Sequence, residues 1–179
     1  MASLRTVLLS ELLEQRKEAP DLDSVLKGDI PLVAKVTFAD GRIQLRNETN
    51  SNTNLILAHP GDLLISGINA AKGAIALNEY DHRIAATIHY SAYSINRAQT
   101  VPRYLWWFLR SEAFRDIIKR EIPGGIKSEL RARRLLRLRV PIPSLSEQRK
   151  IANTIDRVAD HINSAVQLRN STIQETATL

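Results

Sequence analysis

Ten basic residues lie between Arg110 and Arg139 against four acidic ones, while the rest of the chain carries fifteen of each. The whole formal net charge of +6 therefore sits in one segment. Concentrated cations are the footprint of a polyanion, because each phosphate contact releases condensed counterions. A solvated basic helix would have the same composition. Within the segment, Lys127, Arg131, Arg133 and Arg134 are assigned to duplex DNA. Arg grips phosphate bidentately and can bond guanine O6 and N7 in the major groove. Arg137 and Arg139 alternate with Leu136 and Leu138 and read as solvating one face of a strand. A second candidate is Gly67-Ile68-Asn69-Ala70-Ala71-Lys72-Gly73, which superficially suggests a phosphate loop. Its Lys and Gly are transposed relative to a Walker A loop, and Ala74 stands where Ser or Thr would hold magnesium. It reads as a tight turn between strands, compatible with a DNA-facing loop whose candidate contacts are Ser66, Asn69 and Lys72.

Catalysis has little to draw on. The chain has no cysteine, which excludes disulfide frameworks, thiolate metal sites and Cys nucleophiles. His59, His82, His89 and His161 form no i, i+4 ligand pair and no His-Glu-x-x-His helix. No lysine follows Asp or Glu at the offset that carboxylate nuclease sites use, so Pro20-Asp21 is an orphan. No Gly-x-Ser-x-Gly elbow is present. We expect no catalytic residue, no metal and no cofactor, and no binding of S-adenosylmethionine by the isolated chain. Tyr104, Trp106, Trp107 and Phe108 form the one aromatic cluster. Aromatics can stack bases, but at helical spacing these read as core, with one Trp at an interface.

The elements that must position these groups fit one domain with an appended helix, a size of chain that can bury a real core. The 44% hydrophobic content is too high for a disordered tail. No apolar run approaches the ~18 residues of a membrane span, and the N-terminus lacks a secretory pattern, so a cytoplasmic protein is expected. Arg5 to Leu9 reads as a strand, and Ser10 as the N-cap of a helix over Glu11 to Glu18, closed by Pro20. Short strands follow at Pro31 to Phe38, Ile43 to Leu45 (after an Asp40-Gly41 turn), Leu55 to Ala58, Asp62 to Ser66 and Ala74 to Leu77. Ile84 to Ile95 supplies one or two more. Pro102 suits a first helical position, and the helix it opens runs to the Ile122-Pro123-Gly124-Gly125 break. A short helix from Ser128 to about Leu135 and an edge strand from Leu136 to Ile142 complete the domain. Ser144 and Glu147 then form a capping box. Ile151, Ile155, Val158 and Ile162 follow at coiled-coil-like spacing, a stripe with no further chain to bury it.

The run Val140-Pro141-Ile142-Pro143-Ser144-Leu145-Ser146-Glu147-Gln148-Arg149-Lys150-Ile151-Ala152 resembles the Pro-Leu-Pro-Pro-Leu-x-Glu-Gln-x-x-Ile segment of specificity (S) subunits of type I restriction–modification systems. Gly61-Asp62-Leu63-Leu64-Ile65-Ser66, Gly73 with Ala74-Ile75-Ala76, and Pro102-Arg103-Tyr104-Leu105-Trp106-Trp107-Phe108-Leu109 resemble further family segments in order. Gly125 and Leu130 fall where a late loop of the family lies. The resemblance runs from about Leu4 to Ile162. It implies an α+β target recognition domain over 1–143 and a conserved spacer helix over 144–179. It also implies double-stranded DNA recognition and docking of methyltransferase (M) and restriction (R) subunits, without catalysis.

Typical S subunits carry two such domains and two helices, whereas this chain has one of each, as expected of a half-size subunit or a fragment. A homodimer is therefore expected through Ile151, Ile155, Val158 and Ile162, with no membrane partner. A recognition domain from a fused adenine methyltransferase, and an adaptor that uses its basic face for an acidic protein, are the alternatives.

Overall fold

The computed structural model describes residues 4–122 and 130–176. Lys127, Gly125 and the Pro123-Gly124 break lie outside the described residues. Turn and cap residues divide the first two-thirds of the chain into short pieces. These are β1 (Arg5–Leu8), α1 (Leu9–Leu12), β2 (Leu13–Gln15), α2 (Leu22–Lys27), β3 (Leu32–Val36), β4 (Ile43–Arg46), β5 (Leu55–Ala58), β6 (Leu63–Ser66), β7 (Ile75–Leu77), β8 (Ile84–Thr87) and β9 (Tyr90–Ile95). Helices α3 (Pro102–Arg110), α4 (Glu112–Glu121) and α5 (Ala132–Leu135), strand β10 (Arg139–Ile142) and the long α6 (Leu145–Thr176) follow. The fold is α+β.

Two four-stranded sheets, ordered β2-β9-β6-β7 and β4-β3-β8-β5, lie face to face. Leu64, Ala76 and Ala92 of the first meet Val33, Val36, Ile84 and Ala86 of the second in one cluster. The opposite face of the first sheet, with Leu63, Ile65, Ile75 and Tyr93, packs on Leu105, Trp106, Leu109, Phe114 and Ile118 of α3 and α4. Helix α2 covers the outer face of the second sheet through Val25 against Leu32, Leu57 and Ala85. Strand β6 is thus buried on both faces, which explains its unbroken apolar run. Pro141 sits on β10, which pairs only with β1, so its missing N–H interrupts no central ladder.

Several expected elements differ. Ser10 is inside α1 rather than its cap, and the helix lasts a single turn. Glu11 Oε1 accepts the N–H of Leu8 at 2.8 Å. The chain then leaves as β2, with Leu13 opposite Ile95. Leu9, Leu12 and Leu13 are all buried, and strand pairing to β9 outweighs continued helix. Asp21, an orphan as a nuclease residue, caps the unforeseen α2 by accepting the N–H of Ser24 at 3.0 Å. Gly28 closes that helix at φ +84°. The helix opened by Pro102 splits at Ser111, whose Oγ accepts from Phe114 N at 3.3 Å and begins α4. Leu136 to Leu138 stay outside the strand, which starts at Arg139.

Helix α6 opens on the expected capping box. Ser144 N–H donates to Glu147 Oε2 at 3.1 Å, and Glu147 N–H donates to Ser144 Oγ at 3.3 Å. Its first turns have the partner that the sequence does not reveal. Gln148 is fully buried, accepts from Thr100 Oγ1 at 2.9 Å and Val101 N at 2.8 Å, and donates to Pro143 O at 2.9 Å. Ala152 joins the core one turn on. Asp156 Oδ1 then accepts from Arg103 Nε and Trp107 Nε1, both at 2.8 Å. Residues 148, 152 and 156 share one face at helical spacing, so α6 is fastened along α3 for about two turns. No helix among the described residues is long and apolar enough to cross a membrane.

Candidate nucleic-acid interface

The loop after β6 is shaped from beneath. Ser66 is buried, and its Oγ accepts the N–H of Asn69 at 3.2 Å. Asn69 O in turn accepts from Lys72 N at 2.9 Å and Ala74 N at 3.1 Å. A 3-10 turn over Ala70–Lys72 closes on Gly73, whose φ is +96°. A Cβ on Gly73 would press on the Phe38 carbonyl, so both the backbone angle and the space require glycine. Ser66 therefore supports the loop, while Ile68 and Lys72 are exposed and Asn69 is half-buried.

Two backbone hydrogen bonds connect this loop to segments far away in the chain, and a third extends the connection. Leu130 N–H donates to Gly67 O at 2.8 Å, Gly67 N–H donates to His89 O at 2.9 Å, and Ile88 N–H donates to Asn54 O at 3.2 Å. The start of the basic segment, the loop after β6, the β8–β9 turn and the end of the β4–β5 loop thus form one laced rim. Beside Leu130 stands α5, a single turn anchored by fully buried Leu135. Arg131, Arg133 and Arg134 are exposed around it. The Leu130–Gly67 bond anchors the segment that leads into α5 on the loop that bears Asn69. Lys72 leans away, with its Nζ 5.9 Å from the Phe38 ring centroid. It lines a groove of about 570 Å³ with Trp107, Phe108, Ile151 and Ile155. Arg133 borders another open cleft, beside Glu11, Glu14 and Lys17.

Ion pairing redistributes the charge that composition places over Arg110 to Arg139. Arg110 Nη2 donates to Phe38 O and Ala39 O at 3.3 and 2.8 Å, and its guanidinium lies 4.7 Å from the Trp106 ring centroid. Burial lowers its pKa, and its place is structural. On α4, Arg115 pairs with Glu112, Lys119 with Asp116 and Arg120 with Glu121, each at 2.9 Å. Arg133, Arg134, Arg137 and Arg139 form no ion pair among the described residues. The surplus is thus concentrated on α5 and the outward face of β10. Lys127 adds to it in sequence only.

Other groups with chemical potential are spent inside the fold. Asp62 is buried, and Arg16 grips it at 2.7 and 3.2 Å while His59 N–H donates to Oδ2 at 2.8 Å. The Asp62 of the Gly61-Asp62 motif is an internal anchor. His59 and His82 pair with Glu18 and Asp81. Among the described residues no three His, Cys, Asp or Glu converge as metal ligands. Tyr104 and Trp106 are core, as expected of the aromatic cluster, and Trp107 reaches the α3–α6 contact. Sequence reasoning missed the rim's Ile88, His89 and the Asn-rich loop ending at Asn54. The only sequence signal for the last was its run of amide and hydroxyl side chains.

The α6 stripe divides. Ile151, Val158 and Ile162 are 40, 53 and 57% exposed, whereas Ile155 is half-buried at the groove beside Trp107.

The type I restriction modification DNA specificity domain family matches residues 7–174. The HsdS subunit from Thermoanaerobacter tengcongensis superimposes with a TM-score of 0.68 at 18% identity. A chain from a structure described as showing the complex assembly and conformational transition of the type I R-M system superimposes with a TM-score of 0.71 at 17% identity. Each comparison covers 98% of this chain and 47% of the other, so the chain spans about half the length of the solved structures it matches. No curated protein matches it.

Proposed function

This chain belongs to the type I restriction modification DNA specificity domain family, and on that premise we propose that it is a non-catalytic DNA-recognition subunit directing M and R subunits to a bipartite duplex site. The laced rim carries the reading. Unpaired Arg133 and Arg134 stand beside a loop bearing Asn69, and all are tied by backbone bonds to a segment rich in amides. Cations of this kind position a protein on phosphates, and polar side chains bond base edges. Guanidinium and amide groups bind and orient but transfer nothing, which leaves group transfer to the partner subunits. The division into a recognition domain (1–143) and a spacer helix (144–179) belongs to the same proposal, as does action in the cytoplasm.

The second copy is proposed to meet the first through α6. Ile151, Val158 and Ile162 form an exposed stripe that water does not favour. Antiparallel pairing about a two-fold axis would put one recognition domain at each end and demand a palindromic target with an unread spacer.

The test is selection from a random-sequence duplex pool by the purified chain, alone and with its M subunit, at rising salt. Steep salt dependence with one enriched bipartite motif is expected. Binding without sequence preference overturns the specificity role, and binding only to acidic protein favours the adaptor. Methylation by the chain alone would overturn the non-catalytic assignment.

A further inference from the structure

Between β4 and β5 the chain runs Asn47-Glu48-Thr49-Asn50-Ser51-Asn52-Thr53-Asn54, in which seven of eight side chains are amides or hydroxyls. The loop is held by its own backbone and its neighbours. Arg46 Nη2 donates to Asn50 O at 2.8 Å, Thr53 N–H donates to Ser51 Oγ at 3.3 Å, and Asn54 O takes the lacing bond from Ile88. All four asparagines are exposed, and their side-chain amides make no hydrogen bond among the described residues. Each therefore keeps its two donors and its acceptor for an outside partner.

What such a loop fits is set by its charge. It has no cation to hold a phosphate, and the Glu48 carboxylate is repelled by one. Over a groove floor the same groups match. Asn bonds adenine N6 and N7 bidentately, Glu accepts from cytosine N4, and Ser or Thr serves either partner. The lacing sets the scale. Three ladder steps of ~4.8 Å and the ~3.8 Å Cα step from Ile88 to His89 put Asn54 within about 18 Å of Leu130, on the scale of the ~12 Å major groove. With Arg133 and Arg134 on one phosphate strand, the Asn-rich loop would face the adjoining groove.

We infer that Asn47, Asn50, Asn52 and Asn54, with Glu48, are specificity-determining residues that read base edges, while Arg133 and Arg134 supply affinity. The inference rests on the DNA-specificity reading and divides its labour between two segments of the rim.

The experiment is duplex selection from a random-sequence pool by the full chain. It compares the unmutated protein with Asn50→Ala/Asn52→Ala, Asn50→Gln/Asn52→Gln and Arg133→Ala/Arg134→Ala, with thermal unfolding measured for each. The Ala pair should keep the unfolding temperature, the affinity for unselected duplex and the salt slope. It should lose roughly ten- to hundredfold discrimination at one or two base pairs. The Gln pair, whose amides are displaced, should change the preferred bases. The Arg pair should keep the motif, bind all sequences more weakly and lower the salt slope by about two. An Ala pair that selects the parent motif overturns the inference and leaves the specificity role standing. An unmutated chain without any motif overturns both.

Discussion

Gly41 sits at φ +64° where the β3–β4 hairpin turns against Arg110. A Cβ there would collide with the guanidinium and with the Ile75 carbonyl, so Gly41→Ala meets both backbone strain and steric overlap. We expect it to lower the unfolding free energy by about 2–3 kcal/mol, measured as a denaturant midpoint. Tyr93 is the opposite kind of position. It is fully buried, and its hydroxyl has no hydrogen-bond partner among the described residues. Burial pushes its pKa up to about 12, against a weaker opposite pull from Ser91. A tyrosine raised in the folded state keeps its proton there after the unfolded chain has lost it. Its contribution is therefore complete below about pH 10 and declines between about pH 10 and 12. Tyr93→Phe should flatten that alkaline decline in the unfolding midpoint. At neutral pH it should leave stability equal or higher, because no hydrogen bond is lost.

Element by element, what fastens α6 to the rest of the fold is the pair of clasps along one of its faces. Gln148 satisfies Thr100, Val101 and Pro143 at once. Gln148→Leu would leave the buried Thr100 hydroxyl and two backbone groups unmet, at ~1–3 kcal/mol each before relaxation. Asp156→Ala removes the common acceptor of Arg103 and Trp107, but Arg103 keeps Glu79 at 3.1 Å and its stack on Trp106 at 4.3 Å. We expect a loss of about 1–2 kcal/mol, smaller than for Gln148→Leu, with a red shift of tryptophan emission as Trp107 loosens. Chemical denaturation and fluorescence of the two variants side by side check the order. Negligible losses in both would mean that α6 is held by apolar contact alone.

For the whole molecule, the length of α6 sets the geometry of the proposed assembly. Its 32 described residues span about 48 Å, a scale of roughly 14 base pairs at ~3.4 Å each. Ile155 contributes to the groove beside Trp107, so charge placed there would disturb docking as well as pairing. Val158→Asp with Ile162→Asp changes two exposed positions. That variant should be monomeric by sedimentation, unfold like the parent, and select only half of the bipartite motif. An unmutated chain that is monomeric at micromolar concentration overturns self-pairing. A non-palindromic bipartite motif does so as well.

Features made by residues close together in the chain are legible from residue type and spacing. The Ser144–Glu147 capping box, the helix start at Pro102, the Asp40-Gly41 turn and most short strands are of this kind, because a cap or turn bond is encoded by residue type and spacing. Even the missed α2 was announced by Asp21 and Gly28 at its two ends. The short life of α1 was not, since only pairing of Leu13 with Ile95 across the sheet ends it. Which charges remain unpaired among the described residues depends on packing across the fold. Arg110 and the α4 cations are as basic in composition as Arg133 and Arg134, but packing and nearby acidic partners on the same helix consume them. Packing across the fold also decided that Asn54, Ile88, Gly67 and Leu130 share one rim, through bonds between residues tens of positions apart. Such bonds depend on which sheet edges burial brings together, and residue type at either end does not specify that partner.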